Sequence, residues 1–189
     1  MDATVELKRR RFSVKDYHRM VEAGILTKDD RVELLEGEII EMAPIGSPHQ
    51  GTVDRLTRLF TSRLGERVIV RVQGPVVLAS VESEPEPDVA LLVPRADFYT
   101  TGHPEPDDVL LAVEVMDTSV DKDRRVKLPL YARAGIAETW LVDLNTDRVE
   151  VHRRPGPDGY KDSRVVRRGE PLAVQAFPDI AFTVADLLG

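Results

Sequence analysis

The chain has 189 residues, of which 42% are hydrophobic and 31% are charged, a balance typical of one globular domain and not of a disordered protein. It contains no cysteine, which excludes a disulfide framework, an iron–sulfur cluster, a cysteine-ligated zinc site and a cysteine nucleophile. Its formal charge of −7 argues against broad binding to nucleic acids, so a nucleic-acid substrate requires a local basic groove. No apolar stretch approaches the ~18 residues of a membrane span and no signal peptide is recognisable, so we expect a cytoplasmic protein that does not contact membranes.

The first 46 residues predict a helix followed by a hairpin. Ser13, with Asp16 three residues later, is typical of a helix N-cap, and Gly24 marks the end of that helix. Residues 31–42 then predict two short strands around a turn at residues 36–37. Residues 1–46 therefore form a predicted N-terminal extension of the domain.

The clearest helix of the sequence follows this extension. Ser47 is predicted to be its N-cap, Pro48 its first helical residue and Gly65 the residue after its end. Its apolar stripe consists of Val53, Leu56, Phe60 and Leu64. His49 stands four residues before that stripe, so we expect its ring to face inward. It is either a structural histidine or a contact for metal, phosphate or substrate.

The rest of the chain predicts mainly strands. Candidate strands are residues 68–78, which a Gly-Pro pair interrupts, and residues 87–93, 109–116, 138–144 and 147–154. Residues 121–134 predict a helix that ends before Gly135, and Thr183 begins a short C-terminal helix. This order predicts an α/β fold, or mixed α+β, with one central sheet flanked by helices. Within this single domain of residues 1–189, residues 47–144 are the predicted core and residues 145–189 add strands and the short helix.

Two carboxylates occupy positions where a charge is costly. Glu114 lies inside an almost continuously apolar strand, and a buried carboxylate is unfavourable unless it is paired or bound to a metal. Asp88 stands at the head of another apolar strand. If the strands are neighbours, both carboxylates meet at one sheet edge and supply hard oxygen ligands for Mg²⁺ or Mn²⁺. Without metal, at least one of them is then expected to have a raised pKa. The alternative is that each forms a turn or an ion pair.

A lysine follows these carboxylates on the predicted helix of residues 121–134. Lys127 and Tyr131 lie beside the buried stripe of that helix, from which a lysine side chain can reach back over the end of the Glu114 strand. Pro129 removes a backbone donor, so we expect a kink or a late helix start at residues 126–129. The alternative is a solvated helix lysine.

Several segments of the sequence together resemble a known nuclease family. EPDVALLV, LLAVEVMDTSV and KLPLYARAGIAETWLVD occur in this order, after RVELLEGEIIEM and SPHQ. The set resembles the PD-(D/E)XK nuclease superfamily and, more narrowly, its Uma-type family of restriction-endonuclease-like proteins. The resemblance extends from about residue 12 to residue 188 and implies a restriction-endonuclease-like core.

The resemblance implies a metal-dependent endonuclease that hydrolyses nucleic-acid phosphodiester bonds, in DNA rather than RNA, with Mg²⁺ or Mn²⁺ as cofactor. Asp88 and Glu114 match the two acidic positions of the superfamily and would hold the metal together with the carbonyl of Val115. The superfamily pattern has a lysine two residues after the glutamate, where this chain has Met116. In the Uma-type family the lysine lies on the following helix, and the matching residue here is Lys127.

Three further residues are auxiliary candidates. Glu33 and Glu38 flank the predicted turn, and early glutamates of the superfamily supply a second metal position or hold a water. His49 is the third candidate, for the reason given above.

Two non-enzymatic alternatives remain open from the sequence. One is an inactive interaction module that keeps the nuclease fold, which the net charge and Met116 favour modestly. The other is a pocket that binds a nucleotide or another phosphorylated ligand without cleaving it. For the enzyme we expect a homodimer, formed through exposed edge strands or the helices that flank the sheet, because double-strand cleavage needs two sites.

Overall fold

The computed structural model of the protein describes residues 9–27 and 29–189. Residues 1–8 and 28 of the predicted extension lie outside the described residues. Helix α1 (Val14–Glu22) begins at the predicted N-cap, where Ser13 and Asp16 form a reciprocal capping box. The predicted hairpin is also present, as β1 (Val32–Leu35) paired antiparallel with β2 (Glu38–Glu41).

The tight turn of this hairpin requires a glycine. Gly37 has a φ of 78°, and a Cβ added there would lie 2.7 Å from Cβ of Arg11. The hairpin is joined to the rest of the domain through the backbone, because the N–H of Glu84 donates to the carbonyl of Leu34 at 2.7 Å. The extension therefore lies against the segment that leads to Asp88.

Helix α2 (Ser47–Leu64) is present, but its predicted N-cap is wrong by one residue. Gly46 is the N-cap, with an extended backbone (φ −82°, ψ 160°), and Ser47 is already helical. Glycine offers no side-chain oxygen, so no side-chain hydrogen bond caps this end of the helix. Gly65 follows its last residue as predicted.

A six-stranded sheet forms the centre of the fold, in the order β3-β4-β5-β6-β7-β8. Its strands are β3 (Ile69–Val72), β4 (Val89–Leu92), β5 (Val109–Met116), β6 (Glu138–Asp143), β7 (Arg148–Arg153) and β8 (Asp162–Arg167). Strands β5 and β6 are parallel, and the other neighbours are antiparallel. The strand predicted for residues 68–78 is too long, because Gln73 has a φ of 45° and ends the ladder before the Gly-Pro pair. The mixed sheet confirms the predicted fold class.

A distorted helix makes the parallel crossover from β5 to β6. It consists of α3 (Val120–Lys122), a π-helical turn (Asp123–Lys127) and α4 (Leu128–Ala134), and Gly135 ends it in the left-handed region. In the π turn the N–H of Leu128 donates to the carbonyl of Asp123, five residues back. The predicted irregularity before Pro129 is thus present as a π turn.

The C-terminal part adds a small second hairpin and a helix. Strands β9 (Pro171–Ala173) and β10 (Ala181–Thr183) pair antiparallel, and α5 (Val184–Leu188) begins at Thr183 as predicted. Short 3₁₀ helices occur at Gly65–Arg67, Ala79–Val81 and Pro106–Asp108. In the part of the chain described by the structure, no helix is long and apolar enough to span a membrane.

The two faces of the sheet carry separate cores. Alternate residues of β5 point to opposite faces. One face packs against α2 and α5 through Val53, Leu56, Phe60, Leu111, Val113, Val115, Val184 and Leu187. The other packs against α4 and β1 through Leu35, Ala90, Leu92, Ala112, Leu130 and Tyr131. Glu114 falls on this second face, beneath the distorted helix.

Candidate active site

A polar cavity of about 60 Å³ opens where β4 begins and β5 ends. The start of α2, the π turn and the loop before α2 complete its walls. Charged or ionisable residues in these walls are Arg31, His49, Glu86, Asp88, Glu114, Asp117, Lys122, Asp123 and Lys127. The structure thus brings Asp88, Glu114, Lys127 and His49 to one place.

Asp88 directly precedes β4, and two donors fix one oxygen of its carboxylate. The N–H of Val115 donates to Oδ2 at 2.8 Å, and Nε2 of His49 lies 3.0 Å from the same oxygen. Because a carboxylate only accepts, Nε2 of His49 carries the proton, and the hydrogen bond raises the pKa of His49. Oδ1 of Asp88 has no hydrogen-bond partner among the described residues.

The position of Val115 explains how two adjacent strands hold these groups together. The β4–β5 ladder ends at the pair Val89 and Val113. The N–H of Val115, the next one on β5 that points toward β4, therefore has no strand partner and donates to the Asp88 side chain. The N–H and carbonyl of one strand residue point to the same side, so the Val115 carbonyl also faces Asp88.

Glu114 is 2% exposed and contacts two groups from the distorted helix. The hydroxyl of Tyr131 donates to Oε1 at 2.5 Å, and Nζ of Lys127 lies 3.2 Å from Oε1 and 3.3 Å from Oε2. Met116 is fully buried two residues farther along β5. The ammonium beside Glu114 therefore comes from the helix and not from the strand.

Lys127 has a side chain that is only 4% exposed, yet its charge is strongly favoured. Burial lowers the pKa of Lys127, but the carboxylates of Glu114 and Glu33 outweigh burial and raise it overall. Nζ contacts Oε2 of Glu33 at 3.2 Å and the carbonyl of Glu86 at 3.2 Å, in addition to Glu114. The lysine is thus held in place from three sides.

The acidic groups of the cavity differ in proton affinity. Burial raises the pKa of Glu114 well above its usual range, Lys127 offsets part of this, and the charges of Asp123 and Asp88 raise it further. Burial also raises the pKa of Asp123 and of Glu86. The expectation that one of the paired carboxylates has a raised pKa is therefore confirmed for Glu114.

Glu33 and Glu38 lie in different surroundings although they share a hairpin. Glu33 is fully buried, and its oxygens contact Nζ of Lys122 at 2.8 Å and Nζ of Lys127 at 3.2 Å. Burial opposes its ionisation, but the two lysines outweigh burial and lower the pKa of Glu33. Glu38 lies next to the turn, is 37% exposed and is 3.8 Å from Arg11. It does not line the cavity, so we leave it out of the candidate site.

The comparisons with known proteins agree with this architecture. The sequence profile of the Uma2 family, described as "Putative restriction endonuclease", matches residues 14–185. This chain belongs to the Uma2 family. No curated protein sequence matches it.

A solved structure shares the fold of this Uma2 chain. It is described as "a putative nuclease belonging to DUF820" from Anabaena variabilis. The two structures superpose with a TM-score of 0.73 over 94% of this chain and 97% of the other, at 14% sequence identity. At that identity the likeness establishes the fold, while membership of the Uma2 family supports a nuclease function.

Three residues of the Uma2 site were missed as site residues by the sequence analysis. Asp123 lies four residues before Lys127 and is 2% exposed, and Tyr131 lies four residues after Lys127. Extending the spacing of four from Lys127 in both directions would have found them. Lys122 carried no such signal, because only the hairpin residue Glu33 brings it to the cavity.

The donor set of the Uma2 cavity fits a hard divalent cation. Within the described ranges, no group of three or more His, Asp or Glu side chains is arranged as a complete metal site. A cation here therefore needs oxygens of another kind besides Asp88 and Glu114. Mg²⁺ binds in this way, because it usually takes one or two carboxylates and keeps several water ligands. The unpartnered Oδ1 of Asp88 and the Val115 carbonyl agree with that binding mode.

Proposed function

We propose that this Uma2 protein is a metal-dependent endonuclease that hydrolyses phosphodiester bonds of DNA. Asp88, Glu114 and the carbonyl of Val115 would hold Mg²⁺ or Mn²⁺, with Lys127 completing the site. The observation that carries the proposal is the convergence of two carboxylates from adjacent strands on one cavity, beside a buried ammonium. Family membership supports the nuclease class.

Each residue of the site would have its own role in hydrolysis. When bound, the cation would polarise the scissile phosphate and lower the pKa of a water. His49 and the Val115 N–H fix the Asp88 carboxylate through Oδ2 and leave Oδ1 without a hydrogen-bond partner among the described residues. Tyr131 and Lys127 orient Glu114 and offset its charge. The positive charge of Lys127 also favours the negative charge that develops on the phosphate during hydrolysis.

Substrate and assembly are part of the proposal. Arg31 and Lys122 line the cavity and provide a local positive surface on a chain whose net charge is −7. We propose a homodimer because cutting both strands of a duplex needs two active sites. The sheet offers edge strands β3 and β8 for such an assembly.

The test is nicking of supercoiled plasmid with Mg²⁺ or Mn²⁺ at low salt. Asp88→Asn and Glu114→Gln should each abolish cleavage without unfolding the protein, since each keeps the shape of its side chain and removes a charged ligand. Glu41→Gln is the matched control, because Glu41 is exposed at the end of β2 and does not line the cavity. It should cut like the wild type.

The result also decides between the enzyme and its alternatives. If the wild type and Asp88→Asn produce the same trace cleavage, the activity is a contaminant. The protein is then an inactive nuclease-fold interaction module or a nucleotide-binding or phosphate-binding module. Sedimentation of the purified protein tests the homodimer separately.

A further inference from the structure

The ammonium of Lys127 is already engaged by the protein, through hydrogen bonds to Glu86 and Glu114 and an ion pair with Glu33. An ammonium carries three N–H groups. Three acceptors already surround Nζ of Lys127: the Glu86 carbonyl at 3.2 Å, Glu33 at 3.2 Å and Glu114 at 3.2 Å. A direct bond from Lys127 to a phosphate would break one of these contacts in a side chain that is 4% exposed. Lys127 therefore acts through its charge and through Glu114.

A second lysine in the same cavity has donors to spare. Nζ of Lys122 donates to Oε1 of Glu33 at 2.8 Å, and in the described part of the chain it makes no other hydrogen bond or ion pair. Two of its three N–H groups are therefore free. Its side chain is 27% exposed and lines the cavity that holds Asp88 and Glu114.

Glu33 holds both lysines but leaves them in different positions. It is fully buried and contacts Lys122 through Oε1 and Lys127 through Oε2. One carboxylate thus fixes an inner ammonium beside Glu114 and an outer ammonium at the cavity wall. Fixing the outer lysine in advance reduces the conformational entropy lost when it binds a ligand.

We propose that Lys122 is the substrate-binding cation of this site and contacts a non-bridging oxygen of a nucleic-acid phosphate at the cavity. This inference rests on the proposed function and deepens it, because it names the residue that receives the substrate. A compact ammonium suits this task, since it binds a phosphate oxygen as a point charge. Arg31, exposed on the same wall, adds positive charge for the approaching strand.

The first experiment measures DNA binding without cleavage. Fluorescence anisotropy follows a labelled duplex in the presence of Ca²⁺, across about 50 to 200 mM salt. At the lowest salt concentration, Lys122→Met should weaken binding about tenfold. It should also make the negative slope of log K against log salt shallower by about 1. Lys122→Arg should keep the slope because it keeps the charge. Lys161→Met is the matched control, an exposed lysine that does not line the cavity, and should bind like the wild type.

A second experiment separates phosphate binding from a purely structural role at Glu33. In Mg²⁺-dependent nicking, Lys122→Met should raise KM about tenfold and leave kcat within about twofold. Unchanged KM and salt slope would overturn the inference, as would a loss confined to kcat and thermal stability.

Failure of the proposed function gives a different pattern. If the wild type does not cut but its binding to DNA depends on Lys122, the endonuclease is rejected and the phosphate contact stands. If the wild type does not bind the duplex in Ca²⁺, the phosphate contact at Lys122 is rejected.

Discussion

Replacing Tyr131 with phenylalanine tests the buried contact on which the site geometry depends. The change removes one oxygen and leaves the ring, so it opens little space in the core. The lost hydrogen bond runs from a fully buried hydroxyl to Oε1 of Glu114 at 2.5 Å. A hydrogen bond to a charged group contributes about 1.5–3 kcal/mol, compared with about 0.5–1.5 kcal/mol for a neutral pair. For a chain of this length, a loss of about 1.5–3 kcal/mol lowers the melting temperature by roughly 3 to 12 °C.

The effect of Tyr131→Phe should depend on pH in a defined direction. Tyr131 lowers the pKa of Glu114, which burial has raised well above its usual range. At low pH Glu114 is protonated in both proteins, so only the smaller neutral hydrogen bond is lost. As the pH rises through the pKa of Glu114, the wild type gains an ionised, hydrogen-bonded carboxylate before the variant does. The stability difference between the proteins should therefore grow with pH.

Urea denaturation at a series of pH values, without metal, measures this difference. Tyr160→Phe is the matched control, because its hydroxyl contacts the neutral groups Thr139 Oγ1 and the Ile136 carbonyl, both at 2.8 Å. Because two neutral hydrogen bonds are lost, its cost should be about 1–3 kcal/mol and should be the same at every pH. A cost for Tyr131→Phe that does not change with pH would refute the assignment of Tyr131 as the residue that orients an ionised Glu114.

Two further predictions concern the charges of the cavity. Glu114 and Asp123 have raised pKa values in the folded metal-free protein. At pH values above the ordinary pKa of a carboxyl group, the folded protein therefore binds more protons than the unfolded chain, and these groups lower the free energy of unfolding as pH rises. Mn²⁺ at ~100 times its Kd should therefore stabilise the protein by about 2.7 kcal/mol near pH 8, measured by scanning fluorimetry, and by less near pH 5. An equal stabilisation of Asp88→Asn by Mn²⁺ would contradict the site. Lys127→Met removes the cation shared by Glu33 and Glu114 and should lower the free energy of unfolding by about 3–5 kcal/mol, measured by urea denaturation. Adding Glu33→Gln should recover part of this loss. A Lys127→Met protein as stable as the wild type would contradict the buried ion pairs.

The order of the elements was predictable because the strong signals are local. Seven of the eight residues of β5 are apolar, with Glu114 as the exception, and the prediction of residues 109–116 matches the structure. The errors occur where a single backbone conformation decides the boundary. The left-handed Gln73 ends β3 early, and the extended Gly46 takes the N-cap position from Ser47. Neither conformation follows from hydrophobic periodicity.

The sequence predicted those site residues whose charge stands within or beside an apolar segment. Glu114 stood out because the strand around it is apolar, and Lys127 because it borders an apolar stripe of its helix. Long-range placement was not predictable. Glu33 and Lys122 are 89 residues apart in the sequence, and only the docking of the hairpin brings them together. Glu38 shares the hairpin but lies beside the turn, where it is 37% exposed and 3.8 Å from Arg11.

The helix after β5 explains how this site accommodates Met116. Asp123, Lys127 and Tyr131 follow each other at intervals of four, and all three are buried at the end of β5. In a regular helix four residues turn by about 400°, so each residue of such a row is displaced by about 40° around the helix from the one before. The π turn underwinds the interval from Asp123 to Lys127 and so reduces this displacement. The acid, the ammonium and the hydroxyl are thus presented together over Glu114. A strand lysine would supply an ammonium alone. The helix supplies an ammonium together with a hydroxyl that orients Glu114, and its Lys127 also contacts Glu33 of the hairpin, which places Lys122 at the cavity wall. The N-terminal hairpin is therefore a part of the site, and a fragment that begins at α2 should lose the phosphate contact of Lys122 even where Asp88 and Glu114 remain.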